Sequence, residues 1–209
     1  MRDLYAAEMA ARTLVLASGS SARLRLLREA GFDPIVEVSG ISENGIEADD
    51  TSSLVRTLAE RKADAVSLRT GDAVVIACDS LFEFDGIVHG KPESVAEARG
   101  WLHSMRGRSG TLYTGHCVID GSSGTRAVGV AATQVRFADT TDEEIEAYLA
   151  TGEAMAAAGA FTLDGRSAPF VDGVEGDPSN VIGLSLPLLR RLLGELGIAV
   201  TDLWGEPEP

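Results

Sequence analysis

The sequence predicts an α/β protein with a mixed central sheet flanked by helices. Residues 73–78, AVVIAC, are the most continuous apolar run and fit a strand buried on both faces. Stretches with helical apolar spacing lie before and after it, as flanking helices require. Residues 111–120 and 125–137 read as strands joined by Gly121-Ser122-Ser123-Gly124, an antiparallel hairpin that makes the sheet mixed. With 209 residues and no Pro/Gly/Ser-rich linker, one domain over 13–204 is expected, preceded by a loose extension at 1–12 and followed by a disordered tail at 205–209.

In chain order, residues 14–17 form a short apolar strand that breaks into Ser18, Gly19, Ser20 and Ser21. A helical pattern follows, with Leu24, Leu27 and Ala30 on its apolar stripe and Gly31 as its stop. Residues 34–38 read as a strand, and 39–53 as an irregular acidic stretch holding Glu43, Glu47, Asp49 and Asp50. A helix is expected over 54–65, with Lys62 at the edge of its stripe. The central strand is expected to end at Asp79. Asp85-Gly86 signals a hairpin turn, and Gly90-Lys91-Pro92 comes after it. Ser94 opens a helix to Met105, and Thr141-Asp142-Glu143-Glu144 is a capping box for a helix stopped at Gly152. Residues 160–174 look strand-rich about a turn at Asp164-Gly165, and 185–196 read as the last helix.

A net charge of -14 argues against nucleic acid, whose phosphates most of this surface would repel. A polyanionic substrate must be held locally. Cys78 and Cys117 lie in apolar runs without a CxxC or Cys/His cluster, so buried free thiols and a reducing compartment are expected. The first twelve residues carry neither a signal-peptide core nor a membrane span, so the expected location is the cytoplasm.

Of the 18 basic residues, only Lys62 and Lys91 are lysine. A site that wants a compact, flexible point charge explains them, and so does chance. Pro92 restricts Lys91 to extended backbone and pre-aims its ammonium, whereas Lys62 also fits a snorkelling surface lysine. The Ser18–Ser21 loop offers backbone N–H groups and hydroxyls at a helix N-terminus, with Arg23 in the first turn. It suits a phosphate-sized anion, and equally an ordinary Ser-capped helix. Asp79 follows the central strand, where open α/β sheets place their ligands, and is the strongest single candidate; capping the next turn is the alternative. A P-loop is excluded by spacing, and no GxSxG is present. An aspartyl phosphatase would want a second acid where Leu81 stands. His89, His103 and His116 are expected to be ordinary polar or packing residues.

Several blocks in order, LASGSSAR, ISE, ERKA, ACDS, HGKP, YTGH, EEIEAYLATGE, AGAFTLDG and EGDPSNVIGLSLPLL, resemble the Maf proteins from Leu14 to Leu193. That family was first linked to septum formation. The resemblance implies an inosine-triphosphatase-like (Maf/Ham1) fold with two lobes around a cleft. It also implies cleavage of a nucleoside triphosphate between its α and β phosphates, with Mg²⁺ or Mn²⁺. Carried over block by block, Ser18, Arg23, Glu43, Lys62, Asp79 and Lys91 occupy polar active-site positions, with Ser20 in the same loop. Asp79 and Glu43 are a sensible metal pair, and Asp79 as base, as ligand or as both remains open. The positions of Ala22, Ser80 and Asp164 differ between a dTTP/UTP branch and a 7-methyl-GTP branch, and this chain matches neither set. The usual Ser-Pro-Arg-Arg is Ser20-Ser21-Ala22-Arg23 here, and a Lys-Ala-Gly stretch is Ala157-Ala158-Gly159, which removes two cations. The expected partner is a nucleoside triphosphate, with no nucleic acid and no membrane; a homodimer stays open. The non-enzymatic alternative is a nucleotide-binding regulator of cell division.

Overall fold

The computed structural model describes residues 12–42, 45–46 and 48–205. One sheet of seven strands runs through it in the order β2-β1-β3-β5-β6-β7, with β4 paired to β3. The strands are β1 (Leu14–Leu16), β2 (Ile35–Val36), β3 (Val74–Phe84), β4 (Ile87–His89), β5 (Ser109–Asp120), β6 (Thr125–Phe137) and β7 (Val171–Glu175). β1 is parallel to β2 and β3, and the remaining pairings are antiparallel, so the sheet is mixed as expected.

Strand alternation assigns the faces. Leu14, Leu16, Val74, Ile76 and Cys78 pack against α1 (Ser21–Glu29) and α6 (Leu186–Glu195). Val15, Ala17, Val75 and Ala77 pack against Ala59, Ala63 and Val66 of α2 (Thr51–Thr70). The far halves of β3, β5 and β6 carry a second core. There Phe82, Phe137 and Phe161 meet edge to face at 4.9–5.7 Å between ring centres. Ala98 of α3 (Val95–Met105) and Ile145, Tyr148 and Leu149 of α4 (Asp142–Leu149) extend this side. The two cores make the two expected lobes, and the long strands β3, β5 and β6 run through both.

Three expectations are corrected, and one element is new. β3 does not end at Asp79 but continues to Phe84, because it pairs with β5 from Val74 to Glu83 and Phe82 and Phe84 bury themselves in the second core. Only its parallel partner β1 stops short, with the Ala17 N–H donating to the Ile76 carbonyl at 2.8 Å. α2 is longer than residues 54–65, because Asp50 caps it by accepting the Ser53 N–H at 2.7 Å and Gly71 closes it. Residues 160–174 are mostly 3₁₀ turns and bends, with strand only from Val171. Their small residues, Gly165 and Pro169 favour tight turns over a ladder. A short helix, α5 (Pro178–Ile182), was not foreseen; Asp177 caps it and Pro178 occupies its first turn. The expected Asp85-Gly86 turn, Ser94 cap, β5–β6 hairpin and Thr141 capping box are all present. The expectations for residues 1–11 and 206–209 lie outside the described residues, whereas Arg12 is tied to the Asp120 carboxylate.

Candidate active site

The alternation of β3 builds the site. Asp79 continues the face of Val75 and Ala77, towards α2, and its carboxylate accepts from Nζ of Lys62. Ser80 continues the face of Ile76 and Cys78, towards α1, and its hydroxyl accepts from Nη2 of Arg23 at 2.9 Å. Gly115, opposite Asp79 in β5, lets α2 lie directly on the sheet: a Cβ there would stand 2.1 Å from the Val55 carbonyl oxygen.

Arg23 is held on three sides. Nε donates to the Gly183 carbonyl at 2.7 Å, Nη1 to Ser18 Oγ at 3.0 Å and Nη2 to Ser80 Oγ. Ser80 Oγ in turn meets Thr114 Oγ1 at 2.9 Å, in the buried floor of β5. Ser18 Oγ also accepts the Ser20 N–H at 3.2 Å. Both of its lone pairs are then taken, so Ser18 meets a ligand as a donor. Ser20 itself caps α1 by accepting the Arg23 N–H at 3.3 Å. The loop is thus a Ser-capped helix start and a donor-lined cradle at once, and the two readings of the sequence do not exclude each other.

A cleft of about 680 Å³ joins these groups. Ser18, Ser20, Arg23 and Ser80 line one side, and Lys62 and Asp79 the other. Lys91 enters from the loop after β4, which is tied down where the Gly159 N–H donates to the Gly90 carbonyl at 3.0 Å. Leu81, Leu112, Ala157 and Phe161 make an apolar end. Asp164 does not line the cleft. Its carboxylate accepts from Nη2 of Arg25 and from Oγ1 of Thr162, and Thr162 is the lining residue there. Arg25 does not line the cleft either, so it does not replace the charge absent at Ala22, which does. Glu43 lies outside the described residues.

Both thiols are buried and pushed up to about 12 by desolvation, which makes them inert packing residues. His116 is also fully buried, and desolvation lowers it to about 4. Gly183, Thr114 and Asn180 were not singled out from sequence. For Asn180 and Gly183 the signal lay in Asp177-Pro178, which caps a helix start, and in Gly183, which ends that helix.

The family model described as Maf-like protein matches residues 13–196. A nucleoside triphosphate pyrophosphatase of Streptomyces coelicolor is 54% identical over 199 residues, covering 94% of this chain and 97% of the relative. One of Gloeothece citriformis is 49% identical over 190 residues, covering 91% and 97%. Among solved structures, the Staphylococcus aureus Ham1 protein superposes with a TM-score of 0.42 at 18% identity, over 61% of this chain and 73% of that one. A family match over most of the chain, with near-full-length relatives at half identity, shows that this chain belongs to the Maf-like protein family.

Proposed function

We propose that the chain hydrolyses nucleoside triphosphates to a monophosphate and pyrophosphate. One observation carries the reading: in a chain of net charge -14, Arg23, Lys62 and Lys91 converge on one cleft beside Asp79. A triphosphate brings about four negative charges, and such cations stabilise it most where charge builds up in the transition state. The names of the Streptomyces and Gloeothece relatives support the same reaction.

A hard divalent cation fits this donor set. Mg²⁺ is held by one or two carboxylates together with substrate phosphates and water, and Asp79 offers one such carboxylate in the cleft. Asp79 with Glu43 would hold Mg²⁺ or Mn²⁺, which supplies counter-charge and lowers the pKa of a bound water.

The chain's own groups have separable tasks. Arg23, fixed by three acceptors, presents its remaining N–H groups to phosphate oxygens, and Ser18 adds a hydroxyl donor. Lys62 and Lys91 neutralise the pyrophosphate that departs. The attacking water forms the new O–P bond at the α phosphorus as the bridging O–P bond to the β phosphate breaks, and Asp79 accepts the water's proton at its carboxylate. The apolar end at Leu81 and Phe161 suits the nucleoside. UTP, dTTP and CTP are the first substrates to try, because Ser80 departs least from the dTTP/UTP branch.

Purified protein incubated with a nucleotide panel, with and without Mg²⁺ or Mn²⁺, tests the reading by pyrophosphate release. Metal-dependent release from at least one nucleotide is expected. Silence across the panel would overturn it in favour of a binding regulator.

A further inference from the structure

Arg23 depends on the Gly183 carbonyl, in the turn between α5 and α6. Gly183, which supplies it, ends the five-residue α5 at a φ of +123°, a conformation unfavourable to other residues, and its neighbours up to Ser185 lead into α6. Several side chains fasten this segment to the sheet, and Thr114 Oγ1 donates to the Asn180 carbonyl at 3.4 Å. Asn180 Nδ2 donates to the Leu112 carbonyl at 3.2 Å and to Thr133 Oγ1 at 3.1 Å. His116 Nε2 accepts the Ser185 N–H at 2.8 Å, while its Nδ1 lies 3.0 Å from the Thr114 carbonyl. A backbone N–H can only donate and a carbonyl can only accept, so His116 is neutral with its proton on Nδ1. Both of its ring nitrogens are engaged, and the side chain is wholly buried.

We propose that His116 is a positioning residue for Arg23, acting through the Ser185 N–H and the Gly183 carbonyl. It touches no substrate. Its effect is to fix where the carbonyl sits, and with it the direction of the guanidinium. A packing residue would serve the core without this consequence, and a leucine of similar volume would then do as well. The functional part of the inference rests on the pyrophosphatase reading, whereas the link from His116 to Arg23 does not.

The two amide substitutions divide the ring's roles. In His116→Gln the side-chain oxygen reaches the place of Nε2 and accepts the Ser185 N–H. In His116→Asn the amide reaches only as far as Nδ1, satisfies Thr114 and leaves Ser185 unpaired. Solvent exchange of the Arg23 Nε–H, assigned in ¹H–¹⁵N spectra against Arg23→Ala, reads the link without any turnover. H116N is expected to speed that exchange about tenfold or more, and H116Q to leave it near the native rate. In turnover, H116N is expected to lose about 10- to 100-fold in kcat/KM and H116Q only a few-fold. On an Arg23→Ala background H116N is expected to cost nothing further. Unchanged exchange in H116N, or its full loss persisting without Arg23, would overturn the inference. If H116N does not fold, the native protein decides: a ¹⁵N spectrum with the proton on Nε2 overturns the bond, and one with Nε2 as the bare acceptor supports it. A native protein that releases no pyrophosphate refutes the activity alone, because the exchange measurement still reads the link.

Discussion

Lys62 and Asp79 meet as an ion pair, one from the middle of α2 and the other from the point where β3 passes the end of its parallel neighbour β1. Their side chains are only 12% and 9% exposed. The pair exists because a strand alternates and because Gly115 lets the helix close on the sheet. It puts a carboxylate and an ammonium in the same cleft as Arg23, with both signs of charge within reach of one ligand.

Asp79→Asn is expected to lower turnover by about 10²–10⁴-fold, the usual worth of a general base. The amide oxygen still accepts from Lys62, but the charge of a mostly buried pair is lost, so the thermal midpoint is expected to fall as well. Steady-state pyrophosphate release beside a melting curve checks both halves.

Lys91→Arg is expected to cost about 10²-fold in kcat/KM. The chain uses arginine almost everywhere else, so a generic cation would tolerate the change. Arginine's wider, planar head spreads the charge and does not supply the compact point charge of an ammonium. A native rate in this variant would remove Lys91 from the site.

Gly115→Ala is expected to destabilise the fold by about 1–3 kcal/mol, because the new methyl meets backbone and not a flexible side chain. Any relief moves α2 outward and Lys62 with it. The urea midpoint and kcat/KM should therefore fall together.

Arg12 and Asp120 predict an acid-dependent contribution to stability. The Arg12 guanidinium, with Ser122 adding hydrogen bonds, holds the Asp120 carboxyl well below the usual carboxylate range. A lowered folded-state pKa stabilises above the unfolded value near 4, and the gain is lost as pH falls through the folded value. Arg12→Ala is expected to cost about 1 kcal/mol at pH 7 and less below pH 4. Urea unfolding at several pH values checks the sign.

Asp164 reaches a base only by giving up Arg25 and Thr162. Asp164→Gln is therefore expected to change the UTP:CTP ratio of kcat/KM by less than about threefold, under 1 kcal/mol. Relative kcat/KM for UTP, CTP and GTP measures it, and a larger change would mean that the pair opens when nucleotide binds.

Local chemistry made much of the protein legible without coordinates. The caps at Ser20, Ser94 and Thr141, the Asp85-Gly86 turn and the β5–β6 hairpin are short-range features, each set by residues a few positions apart. The two lysines stood out against sixteen arginines, and both line the cleft. What went unread depends on distant partners. Asp79 was expected at a strand end, and β5 carries β3 onward past it, with Thr114 standing opposite Ser80 from 34 positions along the chain. Residues 160–174 alternate enough to suggest strands, yet Ala160 and Phe170 pack beside α3 and α4 while Phe161 packs on Phe82 and Phe137 of the sheet.

The sequence by itself determined the mixed α/β class, the order of nearly every element and the residue types that meet in the cleft, because propensity, capping and alternation act over a few residues. The tertiary structure alone decided that Arg23 is held by Gly183 at 160 positions' distance, and that Arg25 faces Asp164 at 139. Hydrogen bonds and ion pairs are directional and end within a few ångströms, so their partners are known only once the chain has closed on itself.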